Sequence, residues 1–455
     1  MSKNNQTADL GTGSIPKLMA KMAVPAVVAQ VVNLLYNIVD RIYIGQGVGA
    51  LALTGVGLCM PLMMFMNAFA MLAGSGGAPR AAIAMGRGDR KEASRIMSNS
   101  FTMLLIFSVG ITVLYLFAAE PLLLMFGASE HTLPYAMEYM NIISWGAVST
   151  LIVMGMNNFL TTQGFSTFAM LTTVIGAVIN IVLDPVFIFG LGMGVKGAAL
   201  ATVLSQTVGA LWVLNFLIRG KKSILKITLP DMKLDPKVFG PSLALGISGF
   251  VMVATESLLS ISFNSSLQRF GGDLAVGSMT ILTSCIQLAQ MPASGIAQGC
   301  APITSFNFGA GKHDRVKKCF YLQLAIAAGY TTLFWIAAMV MPQVFVQIFN
   351  KDAALVEHTV WAMRIYMAGV FSLGFQLTCQ QSFVALGQAK VSLFMACLRK
   401  LILLIPLIFI LPMFFENKVF AVFLAEPISD IIAALATTGT FFARFDKILK
   451  GGAQR

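Results

Sequence analysis

Apolar runs long enough to cross a lipid bilayer punctuate the whole chain, and no other feature constrains its fold as much. A helix needs about 20 predominantly apolar residues to span the hydrocarbon. Twelve runs qualify, at roughly 15–44, 52–81, 96–119, 136–160, 166–190, 196–218, 239–267, 275–306, 319–341, 360–386, 391–413 and 417–443. The longer ones imply tilt or ends that protrude from the membrane. Of 455 residues, 57% are hydrophobic and only 11% charged, whereas a soluble domain carries about 25% charged residues. One aqueous core cannot bury that much apolar side chain. The expected fold is all-α integral membrane, with twelve transmembrane helices.

The net charge of +12 does not call for nucleic acid, because its placement follows the membrane. If both termini face the cytoplasm, the segments on that side collect 22 of the 31 Lys and Arg, and the outer segments hold six. Cytoplasmic loops carry such an excess. The expected location is the inner (plasma) membrane, multi-pass, with the lipid bilayer as constant partner and both termini cytoplasmic. The six Cys and three His show no disulfide framework and no metal-ligand spacing.

The sequence is written twice. GGAPRAAIAMGRG at 76–88 aligns with GCAPITSFNFGAG at 299–311, an offset of 223. Gly164 and Gly387 share that offset, as do Phe126 and Phe349; Ser205 and Ser429 differ by 224. Each anchor is weak alone, but their agreement points to duplication. An even number of spans per copy gives both copies one orientation, so the expected architecture is two pseudo-symmetric six-helix bundles related by an axis along the membrane normal. The division expected is an N-terminal lobe 1–218, a basic cytoplasmic linker 219–238 and a C-terminal lobe 239–455. Two facing bundles suit a rocking carrier with its site near mid-membrane, and the chain is expected to work as a monomer.

Ionisable groups inside spans are costly and mark function by default. In span 1, Asn33, Asn37 and Asp40 are spaced four and three apart, on one helix face that Gln30 extends. In span 5, Asn180 and Asp184 share a face, and Thr202 of span 6 sits near the same depth. At 1.5 Å per residue both Asp lie in the outer half of their spans. Such a cluster of hard oxygens holds Na⁺ in place of its water shell, or holds a proton. Pro25 and Pro185 are the expected bend points beside it. No cofactor is expected beyond this coupling ion, and no metal beyond Na⁺ at Asp40 and Asp184.

The second copy lacks that cluster. At the repeat offset Asp40 becomes Phe263 and Asp184 becomes Leu407. Its candidates are Glu256 with the amides of Gln287, Gln376 and Gln380. Arg399 and Lys400 in span 11 and Glu426 and Asp430 in span 12 are expected to pair across adjacent antiparallel spans. Flexible thioethers suit surfaces that accept many shapes, so Met64 and Met291, with Phe65 and Tyr36, are candidate substrate-lining residues.

The stretch NIVLDPVFIFGLGMGVKGAALATVLSQ at 180–206, with Pro25 and Asp40 in span 1 and the paired AP…GxG turns, resembles the MATE (multidrug and toxic compound extrusion) transporters, in their bacterial MepA/DinF-like branch. The resemblance covers essentially the whole chain. It implies export of amphipathic, often cationic small molecules by antiport with Na⁺ or H⁺, coupled through Asp40, Asn180, Asp184 and Thr202. The alternative is a flippase for lipid-linked sugars, which needs a strongly basic cavity; only Arg80, Arg399 and Lys400 lie within spans. No P-loop, no metal-spaced His and no Ser–His–Asp arrangement supports an enzyme.

Overall fold

The computed structural model describes residues 5–349 and 352–452. These residues are all-helical, and eleven of the helices are long and apolar enough to cross a membrane. One of the eleven, Pro236–Gly309, has 74 residues, about 110 Å at 1.5 Å per residue and far beyond one bilayer. It breaks at Gly272, where φ is 62° and ψ −159°, a conformation open essentially to glycine alone. Spans 7 and 8 are therefore two helices folded back at one residue, and the count of twelve stands.

The first bundle runs Ile15–Gly47, Ala50–Gly86, Arg90–Met125, Leu133–Thr162, Ser166–Pro185 and Val195–Arg219. After spans 7 and 8, the second continues as His313–Val340, then 353–385, 389–413 and Lys418–Gly452. Span 10 passes through a 3₁₀ segment, Met367–Ser372, and span 11 through a π-helical segment, Leu398–Leu404.

The duplication is visible in the backbone. Gly49, Gly88 and Gly164 take positive φ, and so do Gly272, Gly311 and Gly387, each pair 223 residues apart. A side-chain amide bond repeats too: Asn157 Nδ2 donates to the Ala169 carbonyl at 3.1 Å, and Gln380 Nε2 to the Ser392 carbonyl at 2.8 Å.

The bundles meet most closely in the half of the molecule that carries the 219–238 segment, here called the basic end. A methyl group added at Gly86 would sit 2.1 Å from the Phe306 carbonyl oxygen, and one at Gly309 would sit 2.0 Å from that of Ile83. Gly76 abuts Gly246 in the same way that Gly299 abuts Ala23. Both pairs of contacts obey the repeat offset, so spans 2 and 7 cross as spans 8 and 1 do. The N-terminal turn adds a seal: Asn307 Nδ2 donates to the Leu10 carbonyl at 2.9 Å and Arg315 to that of Gly13 at 2.7 Å.

The 219–238 segment is docked rather than slack. Gln163 Oε1 accepts from the backbone of Ile224 and Leu225 at 2.8 and 2.9 Å, and Asn99 Oδ1 accepts from Asp235 N at 3.0 Å. Arg95 pairs with Asp235. These partners all belong to span 3 or the end of span 4, so the segment is held by the first bundle.

Candidate functional site

Asp40 near the end of span 1 and Asp184 near the end of span 5 are brought together. Asp184 and Asn180 are fully buried and Asp40 nearly so, and the two carboxyl groups lie within hydrogen-bonding reach of each other. Asn180 Nδ2 donates to Asp184 Oδ1 and to Thr202 Oγ1, both at 3.3 Å. The phenols of Tyr36 and Tyr139 lie against the same Thr202 hydroxyl.

The oxygen balance of this cluster is incomplete. Asp40 Oδ1, Asp184 Oδ2 and Asn180 Oδ1 are all buried without a partner. Buried polar atoms are normally satisfied, and a buried carboxylate without a counter-charge is strongly disfavoured. Among the described residues no Lys, Arg or His forms an ion pair with either Asp. Two adjacent acids with free oxygens and no basic partner fit one small cation held between them, whether a proton shared by the carboxyls or a Na⁺ ringed by oxygens.

Local sequence places these groups. Asn180 and Asp184 stand one turn apart on one face. Pro185 has no N–H to continue the helix, and the chain passes into a π-helical turn, Val186–Gly190, directly after the acid. Pro25 lies within the single helix Ile15–Gly47. Asn37 Nδ2 donates to the Asn33 carbonyl at 2.6 Å, one turn back in span 1. The position sequence reasoning missed is Tyr139. Its signal was a phenol inside an apolar run at the depth of Asp40, which an interfacial Tyr mimics.

A cavity of about 300 Å³ lies on the basic-end side of this cluster, walled by spans 1, 2, 4, 5 and 6 and closed by spans 8 and 10. Tyr36 and Asn33 line it, so Tyr36 stands between cavity and carboxyls. Met64, Phe65 and Met291 do not line it. Phe65 instead packs edge-on against Phe69 and, across the lobe interface, Phe250; methionines do line it, but they are Met71, Met154 and Met170.

The second lobe is arranged differently from expectation. Arg399 pairs with Asp430 at 2.7 Å and with Glu426 at 3.4 Å, as adjacent spans should. Lys400, however, reaches span 7, where it bonds Glu256 and the Met252 carbonyl. Both residues lie in the π-helical segment Leu398–Leu404, and their side chains reach different neighbouring spans. Glu256 is thus tied to a base and does not assemble with the amides. Gln380 is bound to Ser392, Gln376 is buried one turn before it on span 10 and Gln287 is exposed.

A helical bundle and its duplicate, facing each other around a polar interior, have the architecture of a membrane transporter. The model of the MatE family matches residues 25–186 and 249–410, one match per bundle. The chain belongs to that family. The Multidrug export protein MepA of Staphylococcus saprophyticus is 23% identical over 435 residues, covering 95% of this chain and 96% of the relative. The solved structure of the MATE multidrug transporter DinF-BH in complex with rhodamine 6G is 33% identical, with TM-score 0.88 over 95% of this chain and 96% of its own. An outward-facing multidrug resistance MATE transporter is 25% identical, with TM-score 0.91 over 99% of this chain and 100% of its own.

Proposed function

We propose that this chain is a multidrug exporter, a secondary antiporter that moves amphipathic, often cationic compounds out of the cell against an inward flow of Na⁺ or H⁺. The observation that carries this reading is the pair of buried acids, Asp40 and Asp184, with unsatisfied oxygens and no basic partner among the described residues. Such a pair is stable in hydrocarbon only when a cation neutralises it. The names of its relatives, a multidrug export protein and a transporter solved with rhodamine 6G, support the cargo class. In this reading the basic end is cytoplasmic, by the Lys and Arg bias, and the seal of spans 2, 7, 8 and 1 closes the cytoplasmic side. The unit that works is the monomer, with lobes 1–218 and 239–455. The flippase alternative loses its basic groups: Arg80 is bound to Val238 and Ser242, and Arg399 and Lys400 are bound to acids.

Coupling follows from charge. Without a cation, two neighbouring carboxylates repel and pull at spans 1 and 5; a bound cation draws them together through Asn180 and Thr202. Pro25, inside span 1, and the turn that follows Pro185 in span 5 are where that difference in packing is taken up. A ligand shifts an equilibrium only by its differential affinity for the two states, and this change of local charge supplies one. The test is efflux of rhodamine 6G from proteoliposomes with the Na⁺ and proton gradients imposed separately. One gradient should drive export; export indifferent to both would refute antiport.

A further inference from the structure

We propose that a crevice between spans 5 and 6 at the basic end binds one anionic phospholipid of the adjoining leaflet. The site goes beyond export. It needs only that the spans cross a bilayer, so its fate is separate from that of the antiport reading.

The crevice encloses about 240 Å³ and is lined by Phe168, Trp212, Asn215, Phe216, Arg219 and Gly220. Trp212, Asn215, Phe216 and Arg219 recur at helical spacing on one face of span 6. The walls are aromatic: Phe168 stacks on Trp212 with ring centroids 4.9 Å apart and lies tilted against Phe216 at 4.4 Å. Asn215 is exposed, and its amide makes no hydrogen bond among the described residues. It stands one turn before Arg219, about 6 Å further into the membrane along the helix. Hydrocarbon cannot satisfy an amide there. The glycerol esters of a phospholipid can, since they accept from its NH₂ group.

The charge at its mouth has one sign. No Asp or Glu lines the crevice among the described residues. Arg219, Lys221, Lys222 and Lys226 are exposed and form no ion pair among the described residues. The acids of the same segment are engaged elsewhere: Asp231 accepts from Thr228 at 2.6 Å, and Asp235 pairs with Arg95. The turn that carries the lysines is held in place by Gln163 and by Ile227 N, which donates to the Leu217 carbonyl of span 6 at 3.2 Å. Span 5 begins beside the crevice without a side-chain cap, so its first N–H groups add positive partial charge. Deeper along span 6, Leu204, Val208 and Leu211 are exposed in a row on the same face. A basic mouth, an unpaired amide one turn in and an apolar strip beyond match the headgroup, glycerol esters and acyl chains of an anionic phospholipid. A soluble phosphate would leave the amide and the strip uncovered.

The test uses the full-length chain with Trp145, Trp335 and Trp361 replaced by Phe, so that Trp212 is its one remaining indole. It is placed in phosphatidylcholine nanodiscs that contain brominated phosphatidylglycerol or brominated phosphatidylcholine, whose bromines quench a nearby indole. The anionic lipid should half-quench Trp212 at about a tenfold lower mole fraction than the neutral one. Asn215→Leu and Arg219→Gln should each raise that fraction about fivefold, and Arg219→Lys should recover part of the loss. Lys447→Gln, an exposed base at the end of span 12, should leave the fraction unchanged; an equal loss there would reduce the preference to general surface potential and overturn the site. Equal quenching by the two lipids, or a preference unmoved by both Asn215→Leu and Arg219→Gln, overturns it as well. So does release of the lipid by millimolar glycerol 3-phosphate, which would make the ligand a soluble phosphate. Native mass spectrometry checks the same claim with all four tryptophans in place: one phosphatidylglycerol should stay bound to the unaltered chain and be lost from Asn215→Leu, and retention by that variant counts against the site.

Discussion

At the scale of single residues, opposite consequences follow for two sets of buried charge. Asp40 and Asp184 have no permanent basic partner among the described residues, so replacing one leaves the fold intact and removes the working group. Asp40→Asn and Asp184→Asn should each abolish gradient-driven export, measured as efflux from proteoliposomes, while the protein still purifies as a folded membrane protein. Arg399 is the reverse case. It holds Asp430 and Glu426 in a site where all three are nearly inaccessible. Arg399→Met strands two buried acids and should destabilise the protein by about 3–5 kcal/mol, read as a fall in the thermal unfolding midpoint. Glu256→Gln loses a half-exposed partner of Lys400 and should impair export less than either Asp change. The two Asp were legible in the sequence because a carboxylate inside an apolar run has no cheap explanation. The partner of Lys400 was not, because adjacency in sequence favours span 12, and the contact of span 11 with span 7 is made only in the tertiary packing.

At the scale of elements, the helix crossings at the basic end depend on the absence of a side chain. Gly86 and Gly309 touch backbone carbonyls of the facing helix rather than flexible side-chain ends, so neither neighbour can yield locally. Gly309→Val should hold the lobes apart at that end. The expected outcome is a longer distance between spin labels on spans 2 and 8 and reduced export, with rhodamine 6G binding still measurable; an unchanged distance would show that the crossing tolerates bulk. The spans themselves were legible from length and hydropathy alone, since the bilayer fixes both. The break between spans 7 and 8 was legible too, since residues 268–274 carry Arg269, Gly271, Gly272 and Asp273; its narrowing to the single residue Gly272 was not, because helical hydrogen bonding closes up to the glycine from both sides. The cavity wall was hidden because its amides come from five spans, and no local spacing gathers them round one space.

At the scale of the whole molecule, a symmetric frame carries asymmetric buried charge. The repeat is preserved in the turns, in the lobe crossings and in the Asn157 and Gln380 bonds. The chemistry is not: one lobe holds two acids without a basic partner, and the other holds arginine and lysine locked to acids. The 219–238 segment clings to the first bundle, and Arg80 of span 2 bonds Val238 and Ser242, so the start of span 7 is held by that bundle too. The account therefore expects one cation-responsive lobe. Its most direct test is ion uptake by purified protein, following radioactive sodium in buffered solution and proton release in unbuffered solution. Unaltered protein and Glu256→Gln should bind the ion alike, and the Asp40→Asn, Asp184→Asn double variant should bind none. Undiminished uptake by the double variant would place the engine elsewhere and contradict the account.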